Sequence, residues 1–199
     1  MEASDTTFGI RSAEQSKSER RSRRRRWNSL AHHEVVGQNT SDGYESPQAT
    51  SLMAHSYSGN YVHIIFSTKD RIESIPAHIH EKLWAYLFGI ARNLKIVFLA
   101  VGGTSNHVHV LISLPATVRL CDAIKELKAN SSRWLGEHGI TFEWQKGYGA
   151  FSVSSSQLDV VERYIRNQEV HHRKLTFEDE LLMMLQKSRI PHVKSEVLA

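Results

Sequence analysis

The sequence predicts an α+β fold in which two helices cover one face of a single antiparallel sheet. Segments rich in β-branched and aromatic residues alternate along the chain with segments whose apolar residues recur every three or four positions. Their order is strand, helix, strand, strand, helix, strand, and a short glycine-containing connection joins the two central strands. This βαββαβ order is that of a ferredoxin-like, or RRM-like, sandwich, and a further helix is appended after the last strand.

The first strand and the first helix are predicted from two different periodicities. Tyr61–Ser67 has the composition of a strand, and the charged segment Lys69–Arg71 ends it. Pro76 is placed to open a helix, since proline is well tolerated in a first helical turn. The apolar residues of this helix form one stripe that faces the sheet: Ile79, Leu83, Leu87, Ile90 and Leu94.

A hairpin and a second helix are predicted next. Residues 96–101 form the second strand, residues 102–106 the turn, and residues 106–112 the third strand. A helix follows Pro115 and ends near Gly139. Its buried face carries four aliphatic residues: Leu120, Ile124, Leu127 and Leu135.

The last elements are shorter. Residues 142–145 and 150–153 are strand-like segments separated by a glycine-containing hinge. Residues 156–159 have the form of a capping box, and they start the appended helix that carries Tyr164. A second such signal at residues 176–179 precedes a short helix that ends near Lys187.

Three regions are predicted along the chain. Residues 1–55 contain a basic run and no apolar period, so we expect a disordered basic extension. That run is compatible with a solvated tail and with a phosphate-binding arm, and Met53 is an alternative start of the translated chain. One domain spans residues 56–187, and residues 188–199 form a C-terminal tail.

The composition excludes several classes of protein. The single cysteine, Cys121, excludes an internal disulfide and a thiolate cluster, which indicates an intracellular, cytoplasmic protein. No apolar run approaches the ~20 residues of a membrane span. The net charge of +4 is compatible with a polyanionic partner but does not require one.

Two histidines stand two positions apart on the third predicted strand. Because residues i and i+2 of a strand point to the same face, His107 and His109 lie side by side, while Val108 and Val110 point into the core. Two neighbouring imidazoles can bind one divalent ion. Such pairs also occur as hydrogen-bonded side chains without a metal, so the spacing alone leaves both interpretations open.

Tyr164 and Gln168 are four positions apart and are therefore expected on one face of the appended helix. The carboxamide oxygen of Gln168 is a candidate third ligand for an ion held by the histidines, with Tyr164 one turn away. A tyrosine at the edge of the core and a solvated glutamine also explain this common helical pattern.

Several motifs together resemble one family. Residues 106–112 are similar to the His-hydrophobic-His signature of the HUH endonucleases. Residues 144–153 and 164–172 resemble the single-tyrosine branch of that family, the insertion-sequence and REP-associated tyrosine transposases. The first strand and the charged segment after it are also similar. The resemblance covers about residues 53–187, and residues 1–52 have no counterpart in it.

The resemblance implies a transposase that cleaves and rejoins single-stranded DNA and holds the 5′ phosphate of the cut strand on a tyrosine. It implies that His107, His109 and Gln168 are metal ligands and that Tyr164 is the nucleophile. A free phenol, with a pKa of roughly 10, attacks poorly, so a divalent ion has to polarise the phosphate. Magnesium or manganese suits a phosphate oxygen, although two imidazoles also accept zinc or cobalt. A nucleotide cofactor is not required, because the phosphotyrosine retains the bond energy.

The resemblance also implies partners. We expect DNA with hairpin ends, and a homodimer in which the tyrosine helix of each subunit is delivered to the histidine pair of the other. Lys125, Lys128 and Arg133 lie on the outer face of the second helix, where they can follow a DNA backbone or form a solvated surface. The alternative function is a catalytically inactive nucleic-acid-binding module, such as a repressor, on the same fold.

Overall fold

The computed structural model describes residues 58–172 and 174–198 of the 199-residue chain. The described residues belong to one compact unit of the chain. The predictions for residues 1–55, including a start at Met53, lie outside the described residues.

The sheet confirms the predicted α+β, ferredoxin-like fold. Its four strands are antiparallel and lie in the order β2-β3-β1-β4. Strands β2 and β3 form the predicted hairpin, but β2 extends two residues further than predicted. Gly102 and Gly103 pair with His109 and Val108 and are part of the ladder. The four strands are β1 Tyr61–Ser67, β2 Val97–Gly103, β3 His107–Ser113 and β4 Gly149–Val153.

The helices form one layer on each face of the sheet. The described part of the chain contains α1 His80–Asn93, α2 Leu120–Glu137, α3 Leu158–Arg166, α4 Gln168–His171, α5 Phe177–Lys187 and α6 Lys194–Leu198. Among these residues, no helix is both long enough and apolar enough to span a bilayer.

Helices α1 and α2 cover the face of the sheet that carries Val108, Val110 and Ile112. The ring of Phe88 on α1 lies 5.1 Å from that of Phe98, the strand residue paired with Ile112. The two helices also pack on each other, since Tyr86 and Trp134 stack with ring centroids 5.1 Å apart. This is the two-helix layer that the sequence predicts.

The opposite face of the sheet, which carries the two strand histidines, is covered as well. Ile165 on α3 packs against Ala100 and Leu111. Phe177 on α5 packs against Ile65 and Phe151. The histidine face is therefore a second core, closed by the C-terminal helices rather than open to solvent.

Three local predictions are wrong. Residues 142–145 do not form a strand, since Trp144 makes one isolated bridge with Thr68. The predicted capping box at residues 156–159 does not form, because the turn Ser155–Gln157 and α3 begin without a side-chain cap. The predicted continuous helix breaks at Asn167 (φ −106°, ψ 22°), so Tyr164 and Gln168 lie on different helices. The second capping signal is correct, since the side chain of Thr176 accepts a hydrogen bond from the backbone of Asp179.

Candidate metal centre and tyrosine

Strand β3 brings the side chains of His107 and His109 together on the buried histidine face. Both residues are 0% exposed, and their ring centroids lie 5.0 Å apart. The Nε2 atoms of both rings are buried and have no hydrogen-bond partner among the described residues. Buried polar atoms are normally paired, so two adjacent unpaired nitrogens indicate a site for a ligand that supplies positive charge.

The other nitrogen of each ring is hydrogen bonded, which sets the direction of the free Nε2. The Nδ1 of His107 donates to Oδ1 of Asn106 at 2.7 Å. The Nδ1 of His109 lies 3.0 Å from Nε2 of His63, and one of these two nitrogens carries the hydrogen. With that hydrogen on His109, both strand histidines present a bare Nε2 to the same space, as metal-binding histidines do.

Tyr164 and Gln168 approach this space from the helical layer. The ring of Tyr164 lies edge-on to that of His109, with centroids 6.0 Å apart. Gln168 is 1% exposed, and its Oε1 is buried without a hydrogen-bond partner in the described part of the chain. The structure thus brings together Tyr164, His107, His109 and Gln168, the four residues singled out from the sequence.

Close backbone packing holds the tyrosine helix on the sheet. A Cβ atom built on Gly102 would lie 2.0 Å from the backbone oxygen of Ile165. Only glycine permits this approach of β2 to α3, because real Cβ atoms essentially never lie within 3.0 Å of such an atom. The glycine therefore fixes the distance between the helix that carries Tyr164 and the histidine strand.

Glu180, on α5, is the residue at the centre of the site. Its side chain is 2% exposed. Oε1 accepts hydrogen bonds from the hydroxyl of Tyr164 and from Nε2 of Gln168, the latter at 3.1 Å. Oε2 lies 3.3 Å from Nε2 of His109 and 3.9 Å from that of His107. One carboxylate thus connects the tyrosine to the histidine pair.

His172 completes the cluster. Its Nδ1 donates to the carbonyl oxygen of Leu175 at 2.9 Å, and its Nε2 lies 3.0 Å from Oε2 of Glu180. One potential ligand atom from each of His107, His109, His172 and Glu180 lies within 4.8 Å of all the others. Three nitrogens and one oxygen at such separations form a donor set that suits a divalent transition metal.

Burial controls the protonation of these groups. It lowers the pKa of His63 and of His107 to about 2, and it lowers the pKa of His109 well below its ordinary value. The three imidazoles are therefore neutral near pH 7, which is the form that binds metal. Burial also raises the pKa of Glu180 to about 8, because a charged carboxylate is poorly solvated there.

A cavity of about 790 Å³ opens beside the tyrosine. Its wall includes polar groups, among them His63, Tyr164 and Glu180, and the exposed apolar side chains Val160 and Met183. The Tyr164 side chain can therefore be reached from this cavity by a ligand of nucleotide size.

The basic residues predicted on α2 have different surroundings. Lys125 and Arg133 are exposed. Lys128 is half-buried, and its Nζ donates to the carbonyl oxygens of residues 145–147, so it holds that loop against the helix. Lys125 and Lys128 line a cleft of about 750 Å³ together with Lys146 and Tyr148.

Three members of the site were missed in the sequence. His63 neighbours His109 only because β1 pairs with β3, which a local pattern does not show. His172 lies within the motif at residues 164–172, but that motif alone assigns it no role. Glu180 left one usable signal, since it is an acidic residue within the apolar stripe formed by Phe177, Leu181 and Met184 on α5.

Comparisons with known proteins agree with the resemblance. The family model described as IS200-like transposase matches residues 56–168. A solved structure of a candidate transposase from Deinococcus radiodurans R1 is 22% identical, covers 59% of this chain and 98% of its own, and has a TM-score of 0.47. A REP-associated tyrosine transposase bound to a REP hairpin is 14% identical, covers 63% of this chain and 76% of its own, and has a TM-score of 0.49. Among curated proteins, none matches significantly.

Proposed function

Because the chain belongs to the IS200-like transposase family, we propose that it cleaves and rejoins single-stranded DNA by metal-dependent transesterification through a 5′-phosphotyrosine. One observation carries the proposal. The hydroxyl of Tyr164 and the unpaired Nε2 atoms of His107 and His109 meet in one buried cluster, connected by the carboxylate of Glu180. A nucleophile beside a set of nitrogens that can bind a divalent ion is an arrangement suited to metal-assisted phosphoryl transfer.

The residues present fit a divalent ion. The two histidines and the unpaired Oε1 of Gln168 are the proposed ligands, and their atoms are buried and neutral. We propose magnesium or manganese as the physiological ion. When bound, such an ion polarises the scissile phosphate and stabilises the charge that develops on it.

The proposed chemical step balances without a further reactant. The Tyr164 oxygen forms a bond to phosphorus as the bond between phosphorus and the 3′ oxygen breaks, and the 5′ phosphate stays on the tyrosine. The phenol proton passes along its hydrogen bond to Oε1 of Glu180. This transfer requires the ionised form of Glu180, whose raised pKa makes it a stronger base than an ordinary carboxylate. The leaving 3′ oxygen takes up a proton from water. Attack by a 3′ hydroxyl on the phosphotyrosine reverses the step, so a nucleotide cofactor is not needed.

The cavity beside Tyr164 and a separate cleft lined by basic residues of α2 support a single-stranded DNA partner. The cavity beside Tyr164 gives access to the nucleophile, and we place the scissile nucleotide there. We propose that Lys125, Lys128 and Arg133 contribute to binding of the DNA backbone, with hairpin ends as the recognised form. The reaction would take place on cytoplasmic DNA.

We further propose that the active form is a homodimer that exchanges the tyrosine helix. In the single chain, Tyr164 already contacts Glu180 and lies beside His109. Exchange would preserve these contacts in each site, because α3, α4 and α5 would move as one segment that follows the polar link at residues 154–156.

A denaturing gel tests the proposed function. Labelled single-stranded oligonucleotides that tile the DNA flanking the coding sequence are mixed with the protein and manganese. We expect a covalent protein-DNA adduct that is absent in excess chelator and absent for Tyr164→Phe, which still binds DNA. Tyr86→Phe is the matched control, since Tyr86 packs between α1 and α2 on the other face of the sheet. An adduct that persists in Tyr164→Phe would place the nucleophile elsewhere, and DNA binding without any adduct would favour the repressor-like alternative.

A further inference from the structure

We infer that Glu180 is an additional ligand of the divalent ion, and that its second carboxylate oxygen holds the Tyr164 hydroxyl beside that ion. This inference rests on the proposed function for the role of Tyr164. Glu180 lies on α5, beyond residue 168, where the match to the family ends. The ligand would therefore come from a helix outside the matched region.

The distances fit a shared ion. Atoms that bind one ion at ~2.1 Å lie roughly 3.0–3.4 Å from one another. Oε2 of Glu180 lies 3.3 Å from Nε2 of His109 and 3.9 Å from Nε2 of His107. The first distance lies within that range and the second slightly beyond it, so we expect small side-chain movements to bring the three atoms to one centre.

The hydrogen bonds of the histidine rings explain why Glu180 alone does not satisfy their Nε2 atoms. The Nδ1 atoms of His107 and His172 donate to carbonyl-type oxygens, so the Nε2 atoms of both rings are bare acceptors. They face the same oxygen of Glu180, which is itself an acceptor when ionised. A single carboxyl proton can satisfy only one of them, whereas a cation satisfies all of them together.

The second oxygen of Glu180, Oε1, faces the Tyr164 hydroxyl and Gln168, and Nε2 of His171 lies 3.8 Å from it. Oε1 accepts from the Tyr164 hydroxyl and from Nε2 of Gln168. The contact with Gln168 also directs the Oε1 of Gln168 toward the site as a free acceptor. One carboxylate would thus place the nucleophile and orient a second ligand, which is how groups around a metal usually fix its ligands.

Metal binding by the DNA-free, full-length protein tests the inference. Cobalt(II) is titrated into metal-free protein and followed by its visible absorption, and manganese binding is measured by calorimetry. We expect Glu180→Gln to weaken the binding of both ions at least tenfold and to change the cobalt spectrum. The amide keeps the shape of the side chain and an oxygen that accepts from Tyr164, so thermal unfolding of the variant should stay close to that of the wild type.

Glu178→Gln is the matched control. Glu178 lies on the same helix two residues earlier, and its carboxylate forms an ion pair with Arg71. Its replacement should leave the affinity for cobalt within about twofold of the wild type. Equal affinity of the Glu180→Gln and Glu178→Gln proteins would overturn the inference.

A second variant keeps the test decisive if Glu180→Gln fails to fold. Glu180→Asp retains the charge but withdraws the carboxylate by one methylene, so we expect a loss of cobalt affinity with the folded state preserved. Unchanged affinity of a folded Glu180→Asp protein would also overturn the inference. The outcome is separate from that of the proposed function, because wild-type protein that binds cobalt through Glu180 but forms no DNA adduct would contradict only the latter.

Discussion

Replacing Gly102 by alanine is expected to slow DNA cleavage, although Gly102 contacts neither the ion nor the DNA in our account. The added Cβ would lie 2.0 Å from the backbone oxygen of Ile165 and 3.0 Å from its carbonyl carbon. Because both atoms belong to backbone within regular elements, the contact cannot be relieved by a side-chain rotation. Helix α3 must retreat by about 1 Å, and Tyr164, the neighbour of Ile165, moves with it.

The magnitudes follow from this displacement. Overpacking of this kind costs about 1–3 kcal/mol of folding free energy. A misplacement of a catalytic group by about 1 Å lowers a rate by roughly 100-fold. We therefore expect the single-turnover rate of adduct formation to fall about 100-fold, measured on denaturing gels, with a modest decrease in the melting temperature and little change in DNA affinity.

Gly136→Ala is the control for this prediction. Gly136 lies within α2, and a Cβ added there meets no heavy atom within 4 Å among the described residues. Alanine should stabilise the helix by about 0.5–1 kcal/mol and leave the rate of adduct formation unchanged. If the Gly102→Ala protein has the wild-type rate and melting temperature, the close packing of α3 on β2 does not determine the position of Tyr164.

Three further predictions concern DNA binding, assembly and the N-terminal segment. Lys125→Ala should make the dependence of the DNA association constant on salt less steep, because one phosphate contact is lost. We expect the slope of log K against log salt concentration to change by about 0.7 for single-stranded DNA. An unchanged slope would show that Lys125 does not contact the DNA. Mixing Tyr164→Phe protein with His107→Ala protein should restore adduct formation if the tyrosine helix is exchanged, because each mixed dimer then holds one complete site; continued inactivity of demonstrated mixed dimers would establish a site closed within one subunit. A chain that starts at Met53 should have the melting temperature of the full chain, because the sequence removed has no apolar period to bury; a decrease of many degrees would contradict this.

The elements that follow from local periodicity could be predicted from the sequence. Strand β1 was predicted with its observed bounds, and the alternation along β3 correctly separated His107 and His109 from Val108 and Val110. The helical stripes of α1 and α2 were recognised because the spacing of their apolar residues is determined by the helix itself.

The parts that depend on tertiary packing could not be predicted. Neither glycine nor proline marks the break at Asn167, so the step from α3 to α4 has no local signal. Gln168 nevertheless reaches the site, since the short helix α4 turns it inward. Glu180 is 71 positions from His109 in the sequence, and only the packing of α5 on the histidine face brings the two side chains together.

The burial of the site could not be predicted from local sequence patterns either. Both strand histidines are fully buried because α3 and α5 close over the face that carries them, and the spacing of the two residues does not show this. Burial changes the chemistry, since it keeps the imidazoles neutral and removes their Nε2 atoms from bulk solvent. Amino-acid type and spacing identify such ligands, but the environment that makes them available is a property of the whole fold.

Mapping the covalent bond within the protein-DNA adduct tests the central claim most directly. The adduct formed with manganese and labelled single-stranded DNA is digested with protease and nuclease, and the modified peptide is sequenced by mass spectrometry. We predict a nucleotide joined through its 5′ phosphate to Tyr164. A nucleotide attached to a different residue, or cleavage that leaves a free 5′ phosphate with no covalent protein, would contradict the account.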